Sequence, residues 1–463
     1  MSDSVTIPSS AENISSPEAS SVSAPIVPTA GVAPGGIRQL ALPINISVGF
    51  LGIQFVWAVQ MTQVSPLLES MGSQAWLTGL IWAAGPVTGV LVQPIVGVLS
   101  DNLRSRLGRR RPFLLLGALT TAIALICMPH SPNLLVAAIW LWVLDASINL
   151  TQGPYRALVP DVVPRAQQTT AYSLMSLTIG LGAVVSTFIA SQIAVPQLVF
   201  YLGAAAILIA LGWTALTTRE RPTDKDPVVH PNGQKSAIGA ITGILGETLM
   251  AIPRMPKEAL KLCVAHSFTW FGLMCLFIFF SVFIPKQIFH ATPGTDLYND
   301  GVRWAASCQT ALNLSCFVVS FGISQLCRRF SKKATHTAAL VLMAVSFIAL
   351  NFISTPIQAM IAMACIGFGW ATTLSIPFAL LTDHMPKGKE GLLMGTFNIF
   401  IAAPGVLCTL LVGQIISRFA GGNEGVAFVI GGISVLISAL LLQRVHEAPE
   451  THCEEGPPAL GAH

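Results

Sequence analysis

One aspartate interrupts a long apolar stretch of the chain, at Asp145 in LLVAAIWLWVLDASINLTQGPYRALVPD. Holding an aspartate at the centre of a membrane helix costs about 2.5–3.5 kcal/mol, so such a residue normally faces a bundle interior or a water-filled cavity and serves ion or substrate traffic. Burial disfavours the charged form of a carboxyl group, which is what a group needs if it is to take up and release protons near neutral pH. A carboxyl group also accepts hydrogen bonds from sugar hydroxyls, so proton coupling and sugar binding can fall to one side chain. The alternative is a structural Asp145 bonded to neighbouring Ser, Asn or Gln side chains. Arg156 lies eleven residues further on, about 16 Å along a straight helix, too far for a simple pair with Asp145. Near a helix end it is either a membrane anchor or a gating or coupling group. Gly153-Pro154 just before it would allow the helix to unwind and that distance to change, because proline removes a helical hydrogen bond.

Neutral amides within apolar runs form a second set: Gln54, Gln60, Asn313 and Asn398. Each offers both donors and acceptors, as sugar hydroxyls require; hydrogen bonds between neighbouring helices would account for any one of them equally. Trp57, Trp142 and Trp370 can stack on a sugar face or serve packing and interface anchoring. His266 is a proton relay or a solvated or backbone-bonded group. The chain has no phosphate-binding G-x-x-x-x-G-K-[ST], no H-E-x-x-H and no paired carboxylates or histidine cluster, so neither an enzyme nor an ATP-driven pump is indicated. The nine cysteines show no ligand spacing and read as small packing residues. No metal and no cofactor is expected, only a proton as coupling ion.

These side chains need long helices to hold them. Hydrophobic residues make up 53% of the 463, and only 10% are charged, against about a quarter in soluble domains. A helix crosses the hydrocarbon core with about 20 apolar residues, and twelve such runs emerge, at 41–63, 77–99, 112–129, 134–156, 172–194, 198–217, 262–284, 304–326, 336–353, 357–381, 391–416 and 426–443. Basic residues stay on the cytoplasmic side. With the N-terminus inside, that rule leaves only Lys286, Arg303 and Arg418 of the 25 Lys and Arg outside. Both termini are then cytoplasmic. Asp145 is the only acid this partition puts deep in a span.

The longest break, 218–261, leaves six spans on each side, and the 2–3 and 8–9 loops are both basic. The expected class is an all-α membrane protein of two pseudo-symmetric six-helix bundles with a site between them. A Ser- and Pro-rich tail covers 1–36, the bundles 40–217 and 262–445, the cytoplasmic linker 218–261 and a second tail 446–463. A net charge of +4 confined to loops gives no patch that would follow a phosphate backbone, so the expected partners are a small-molecule sugar and the lipid bilayer, with no nucleic acid, and the protein acts as a monomer.

The segment GVLSD at 97–101 followed by NLRSRLGRRRP resembles the loop between spans two and three of the major facilitator superfamily. Its wider spacing of acid and arginines is similar to the sucrose transporter branch of the glycoside-pentoside-hexuronide:cation symporters. The stretches GIQFVWAVQMTQVSP at 52–66, LIWAAGPVTGVLVQPIVG at 80–97, LDASINLTQGPYRALVPD at 144–161 and SIPFALLTDHMPKGKEGLLMGTFNIFIAAP at 375–404 also resemble that branch. The resemblance implies that Asp145 binds the proton and the glucosyl unit, that Arg156 takes part in coupling, and that Asn149 and Gln152 of the same stretch contact substrate. It further implies that Asp101 caps a helix end and meets Arg109 and Arg110, and Arg156 as well, when the cytoplasmic side is shut. Plant members carry an acidic run after the seventh span where this chain reads SVFIPKQIFHATPG, and a histidine in the first outer loop where it has Ser73-Gln74. The expectation is therefore a proton-coupled importer of an α-glucoside such as sucrose or maltose in the cell membrane. The alternatives are a cation-coupled carrier of another glycoside or hexuronide, and a sugar sensor that does not transport.

Overall fold

The computed structural model describes residues 41–103, 105–220, 252–382 and 390–447, with Gly246, Met250 and His384 between them. The expected tail 1–36, most of the linker beyond Glu220 and most of the tail from 446 lie outside the described residues, as does the side chain of Asp101. Eleven helices among the described residues are long and apolar enough to cross a membrane, and a bent pair completes a twelfth span. They are α1 (Ala41–Ser70), α2 (Ala75–Gly97), α3 (Arg111–His130), α4 (Leu134–Val162), α5 (Thr170–Gln192), α6 (Pro196–Thr217), α7 (Lys257–Ile288), the pair α8 (Asp296–Ser320 and Ile323–Phe330, bent by 60°), α9 (Lys332–Leu350), α10 (Pro356–Thr382), α11 (Thr396–Phe419) and α12 (Gly425–Leu442).

The halves repeat one packing scheme. In the first, α1 packs on α5 and α6, α2 on α4, and α3 on α4 and α6; in the second, α7 packs on α11 and α12, α8 on α10, and α9 on α10 and α12. The halves meet where α1 lies on α7, α2 on α11 and α5 on α8, as a pseudo-twofold relation between bundles requires. Below, proximal means the end where α1 begins and distal the end where it finishes.

Local chemistry fixes the helix ends. At the distal end Asn133 caps α4 by accepting from Val136 N at 3.0 Å, and Thr355 with Gln358 forms a capping box on α10, each satisfying amides that a helix start leaves without partners. At the proximal end the repeat shows as a shared device. The Glu220 carboxylate, just past α6, accepts from the Arg110 and Arg111 amides at 3.0 Å where α3 begins. The Glu447 carboxylate, just past α12, accepts from the Lys332 amide at 2.9 Å where α9 begins. An acid at a helix N-terminus also meets the positive end of its dipole. Arg111 returns the contact to Ala215 O at the end of α6, and Lys333 to Gln443 O and Val445 O at the end of α12. The two basic loops share little sequence but fasten the third and sixth helices of their halves in the same way.

Among the span boundaries that differ from the sequence reading are the distal ends of α1 and α7. The first helix runs on to Ser70 rather than ending at 63, and the seventh runs to Ile288 through a π-helical turn at Ile284–Ile288. Both extensions carry polar residues that find partners inside the protein, so the helix outlasts the apolar run. Gly153-Pro154 does not unwind α4, which is helical from Leu134 to Val162.

Candidate functional site

A cavity of about 300 Å³ lies between the halves, lined from α1, α5, α7, α8 and α10. Its polar groups are Gln54, Thr187, Gln309 and Asn313, and its rings are Trp57, Trp270, Phe277 and Trp370. Trp270 and Phe277 each meet Trp370 edge-on at centroid distances of 5.6 Å, with interplanar angles of 81° and 80°. Such an arrangement offers aromatic faces and amides to one ligand, the mixture that suits a molecule with apolar faces and hydroxyl edges. Gln54, Trp57, Ala58 and Met61 of α1 reach it because they sit at i, i+3, i+4 and i+7, one stripe of the helix.

Asp145 stands behind that stripe, fully buried on α4. Gln60 Nε2 donates to Asp145 Oδ1 at 2.9 Å, and Asp145 Oδ2 has no hydrogen-bond partner among the described residues. A Cβ on Gly85 of α2 would come within 3.6 Å of Oδ2. The carboxyl group is therefore enclosed by α1, α2 and α4 and has one oxygen uncommitted. Asn149, one turn on, donates to Asp145 O at 2.9 Å and to Thr88 Oγ1 at 3.1 Å, and accepts from Gln93 at 2.7 Å.

These positions revise several expectations. Asp145, Gln60 and Asn149, expected as sugar ligands, do not line the cavity in this conformation; the hydrogen bonds their side chains make lie within the first half, because each points across a helix contact rather than between the bundles. Gln54, Trp57 and Asn313 do line it. Gln152 is half-buried, and Asn398 is exposed and not on the cavity wall. Trp142 is 40% exposed and turned away. Arg156 is exposed, with no ion pair among the described residues. His266 is buried rather than solvated and accepts from Trp270 Nε1 at 2.8 Å. Arg109 and Arg110 both pair with Asp161 at the proximal end of α4, at 3.3 and 3.0 Å, and their expected meeting with Asp101 lies outside the described residues. Asp161 belongs to the stretch that carries the family resemblance, yet the sequence alone assigns it no role.

The sequence reading also misses a charged cluster at the distal end. Glu69 of α1 is 7% exposed and Glu424 at the start of α12 is fully buried. Lys286 of α7 bonds to both, to Glu69 Oε1 at 3.3 Å and to Glu424 Oε1. Tyr298 OH donates to Glu69 Oε2 at 2.8 Å, and Gln287 Nε2 to Glu424 Oε2 at 3.3 Å. Glu69 comes from the first half and its partners from the second, so the group bridges the bundles. Nearby, Ser65 donates to Ile278 O at 2.7 Å and Ser417 accepts from Trp76 N at 3.3 Å. Where α2 meets α11, a Cβ on Gly79 would lie 2.7 Å from Thr409 O, a closeness of backbones that only glycine permits.

Twelve apolar helices in two matching bundles around a central cavity define a polytopic membrane protein built as a secondary transporter. The chain belongs to the Major Facilitator Superfamily, whose sequence profile matches residues 46–409. Among its relatives, the sucrose transport protein SUT5 of Oryza sativa subsp. indica is 25% identical, over 84% of this chain and 84% of its own. The sucrose transport protein SUC4 of Arabidopsis thaliana is 26% identical, over 85% and 88%. The general alpha-glucoside permease of Schizosaccharomyces pombe is 25% identical, over 86% and 92%. Among solved structures, the nucleoside transporter NupG superposes with a TM-score of 0.68 at 12% identity, covering 88% of this chain and 99% of its own. A peptide transporter POT bound to sulfate gives 0.66 at 14% identity, over 88% and 94%. These structural likenesses establish the fold alone.

Proposed function

We propose that this chain is a carrier, not an enzyme, that imports an α-glucoside disaccharide such as sucrose or maltose together with protons by alternating access. The observation that carries the reading is the buried Asp145 carboxyl with one uncommitted oxygen, one helix away from a cavity of amides and indoles between two bundles. The names of the relatives support the sugar class. The distal end is read as the outside, with both termini cytoplasmic, the protein monomeric in lipid, and the membrane that of the cell.

In this reading the proton and the sugar communicate through α1. Gln60 holds the carboxyl on one flank of the helix, while Trp57 and Met61, three residues before and one after, line the cavity on the other. A sugar that draws α1 toward the second half moves the Gln60 amide relative to Asp145, and the oxygen that takes the proton gains or loses its enclosure. Arg156, on the proximal side of α4 and without an ion pair among the described residues, is the cation available to the carboxylate side of the cycle when the proximal half closes. The distal cluster around Lys286 holds the outside shut, so the conformation is one closed to the outside.

The test is sugar-dependent alkalinisation of the outer medium in proteoliposomes, with uptake abolished by an uncoupler and unchanged when choline replaces Na⁺. Sugar uptake with no proton movement under any gradient excludes the mechanism.

A further inference from the structure

Trp270 contributes a ring to the cavity wall, while its indole N–H is committed to a residue that does not line the cavity. That residue is His266, one turn earlier on α7, whose Nε2 accepts from Trp270 Nε1 at 2.8 Å. His266 is 2% exposed and stacks on Phe397 of α11, with ring centroids 4.9 Å apart and planes 12° from parallel. Phe378 in turn meets Phe397 edge-on at 5.1 Å. An imidazole that accepts at Nε2 is neutral and carries its proton on Nδ1, an atom with no hydrogen-bond partner among the described residues. A histidine kept for packing alone has no need of this tautomer, since a leucine or phenylalanine fills an apolar slot with no polar atom to satisfy. Here the polar atom that is satisfied is the one facing Trp270.

We propose that His266 is a positioning residue for sugar recognition, fixing the rotation of the Trp270 indole so that its face and the edge-on Trp370 present one preformed aromatic wall to the ligand. The inference rests on the reading that the cavity takes the sugar. A tryptophan free to turn about two side-chain torsions would have to be ordered when the ligand binds, and that cost would appear as lost affinity. Removing the tether while leaving the ring should weaken binding about 2- to 12-fold, the range of one aromatic contact.

Sucrose and maltose binding to the purified full chain, followed by calorimetry, tests this with five variants. His266→Gln, whose amide oxygen can stand where Nε2 stands, should bind within about twofold of the native chain. His266→Leu should weaken binding by the amount given above, and in uptake should raise KM with Vmax held. Trp270→Phe removes the N–H, so adding His266→Leu to it should cost less than about twofold more. Equal losses for His266→Gln and His266→Leu, or a full His266→Leu effect in the Trp270→Phe background, would mean that His266 is a packing residue and would overturn the inference. If Trp270→Ala leaves the affinity unchanged, or neither sugar binds the native chain, the cavity reading fails and this inference fails with it.

Discussion

Replacing Lys286 by Met should open the distal end of the transporter. Its ammonium is the shared partner of Glu69 and Glu424, whose side chains are 6% and 1% exposed while its own is 29% exposed. Removing one partner of a fully buried ion pair costs about 3–5 kcal/mol because a buried charge is left uncompensated. Discounted for the partial exposure of Lys286, the cost is about 2–3 kcal/mol. That cost applies only while the bundles are shut, because opening hydrates both carboxylates. The closed-to-open ratio should therefore fall about 30- to 140-fold, since each 1.4 kcal/mol is a factor of ten. Spin labels at Pro132 and Ser354, exposed in distal loops of opposite halves, report the separation by pulsed electron paramagnetic resonance in a background with the native cysteines replaced. Lys286→Met should bring up a population at longer distance. Glu69→Gln should change it far less, because the Lys286–Glu424 pair remains and the new amide oxygen can still accept from Tyr298. An unchanged distribution for Lys286→Met refutes the assignment of the lysine as the tie between the bundles, and an equal opening for Glu69→Gln refutes the account of its size by uncompensated buried carboxylates.

Asp145→Asn should abolish concentrative uptake while sugar counterflow persists, because the amide still bonds to Gln60 but carries no exchangeable acid proton; a pH-clamped uptake assay separates the two. Gln60→Leu removes the one side-chain donor to Asp145 Oδ1 among the described residues and should change the proton-to-sugar ratio more than it changes sugar affinity, read from paired flux measurements. Asp161→Asn takes the anion from both Arg109 and Arg110 and should lower the thermal midpoint, with a cost of about 1–3 kcal/mol. Glu220→Ala and Glu447→Ala should each cost about 1 kcal/mol by uncapping a helix, and thermal shifts that differ sharply between them would argue against the pseudo-symmetry of the two proximal caps.

How much of this was legible in the sequence depends on whether a residue's setting is made by its own helix or by another. Twelve spans, the division at the linker and the singular position of Asp145 are properties of single segments, and hydropathy and insertion cost give them directly. Glu69 was not legible as an intramembrane acid because its run of polar neighbours, QVSPLLES, reads as a helix end until the partners of Ser65 and Glu69 are supplied by α7 and α8. A trace of it was present: Lys286 broke the distribution of basic residues, and a cation on the outer side at the end of a span asks for an anion. Glu424 lay in an apparent loop, where burial has no sequence mark. Asn149 was picked out by the resemblance, but its three hydrogen bonds to Thr88, Gln93 and the Asp145 carbonyl depend on how α2 crosses α4. Asp161 had a place in the matched stretch, and only the fold brings both arginines to it.

In the proposed mechanism the proton site, the cavity and the distal tie all touch α1, and their order along it constrains the cycle. Gln54, Trp57, Met61, Ser65 and Glu69 follow one another at spacings of three and four, a continuous stripe facing the second half. Met61 at the cavity and Glu69 at the tie are eight residues apart, about 12 Å along the axis. A rigid helix of this length cannot shift at Trp57 without shifting at Glu69, so a sugar drawn onto the indoles loads the Lys286 cluster directly. Gln60 lies just off the stripe, so the same displacement reaches Asp145 by a single hydrogen bond. Coupling by this route needs no chain of relayed side chains through the bundle. It requires that α1 stay helical from Gln54 to Glu69, so a Gly-Gly pair at 62 and 63, between cavity and tie, should leave sugar binding near native and slow transport.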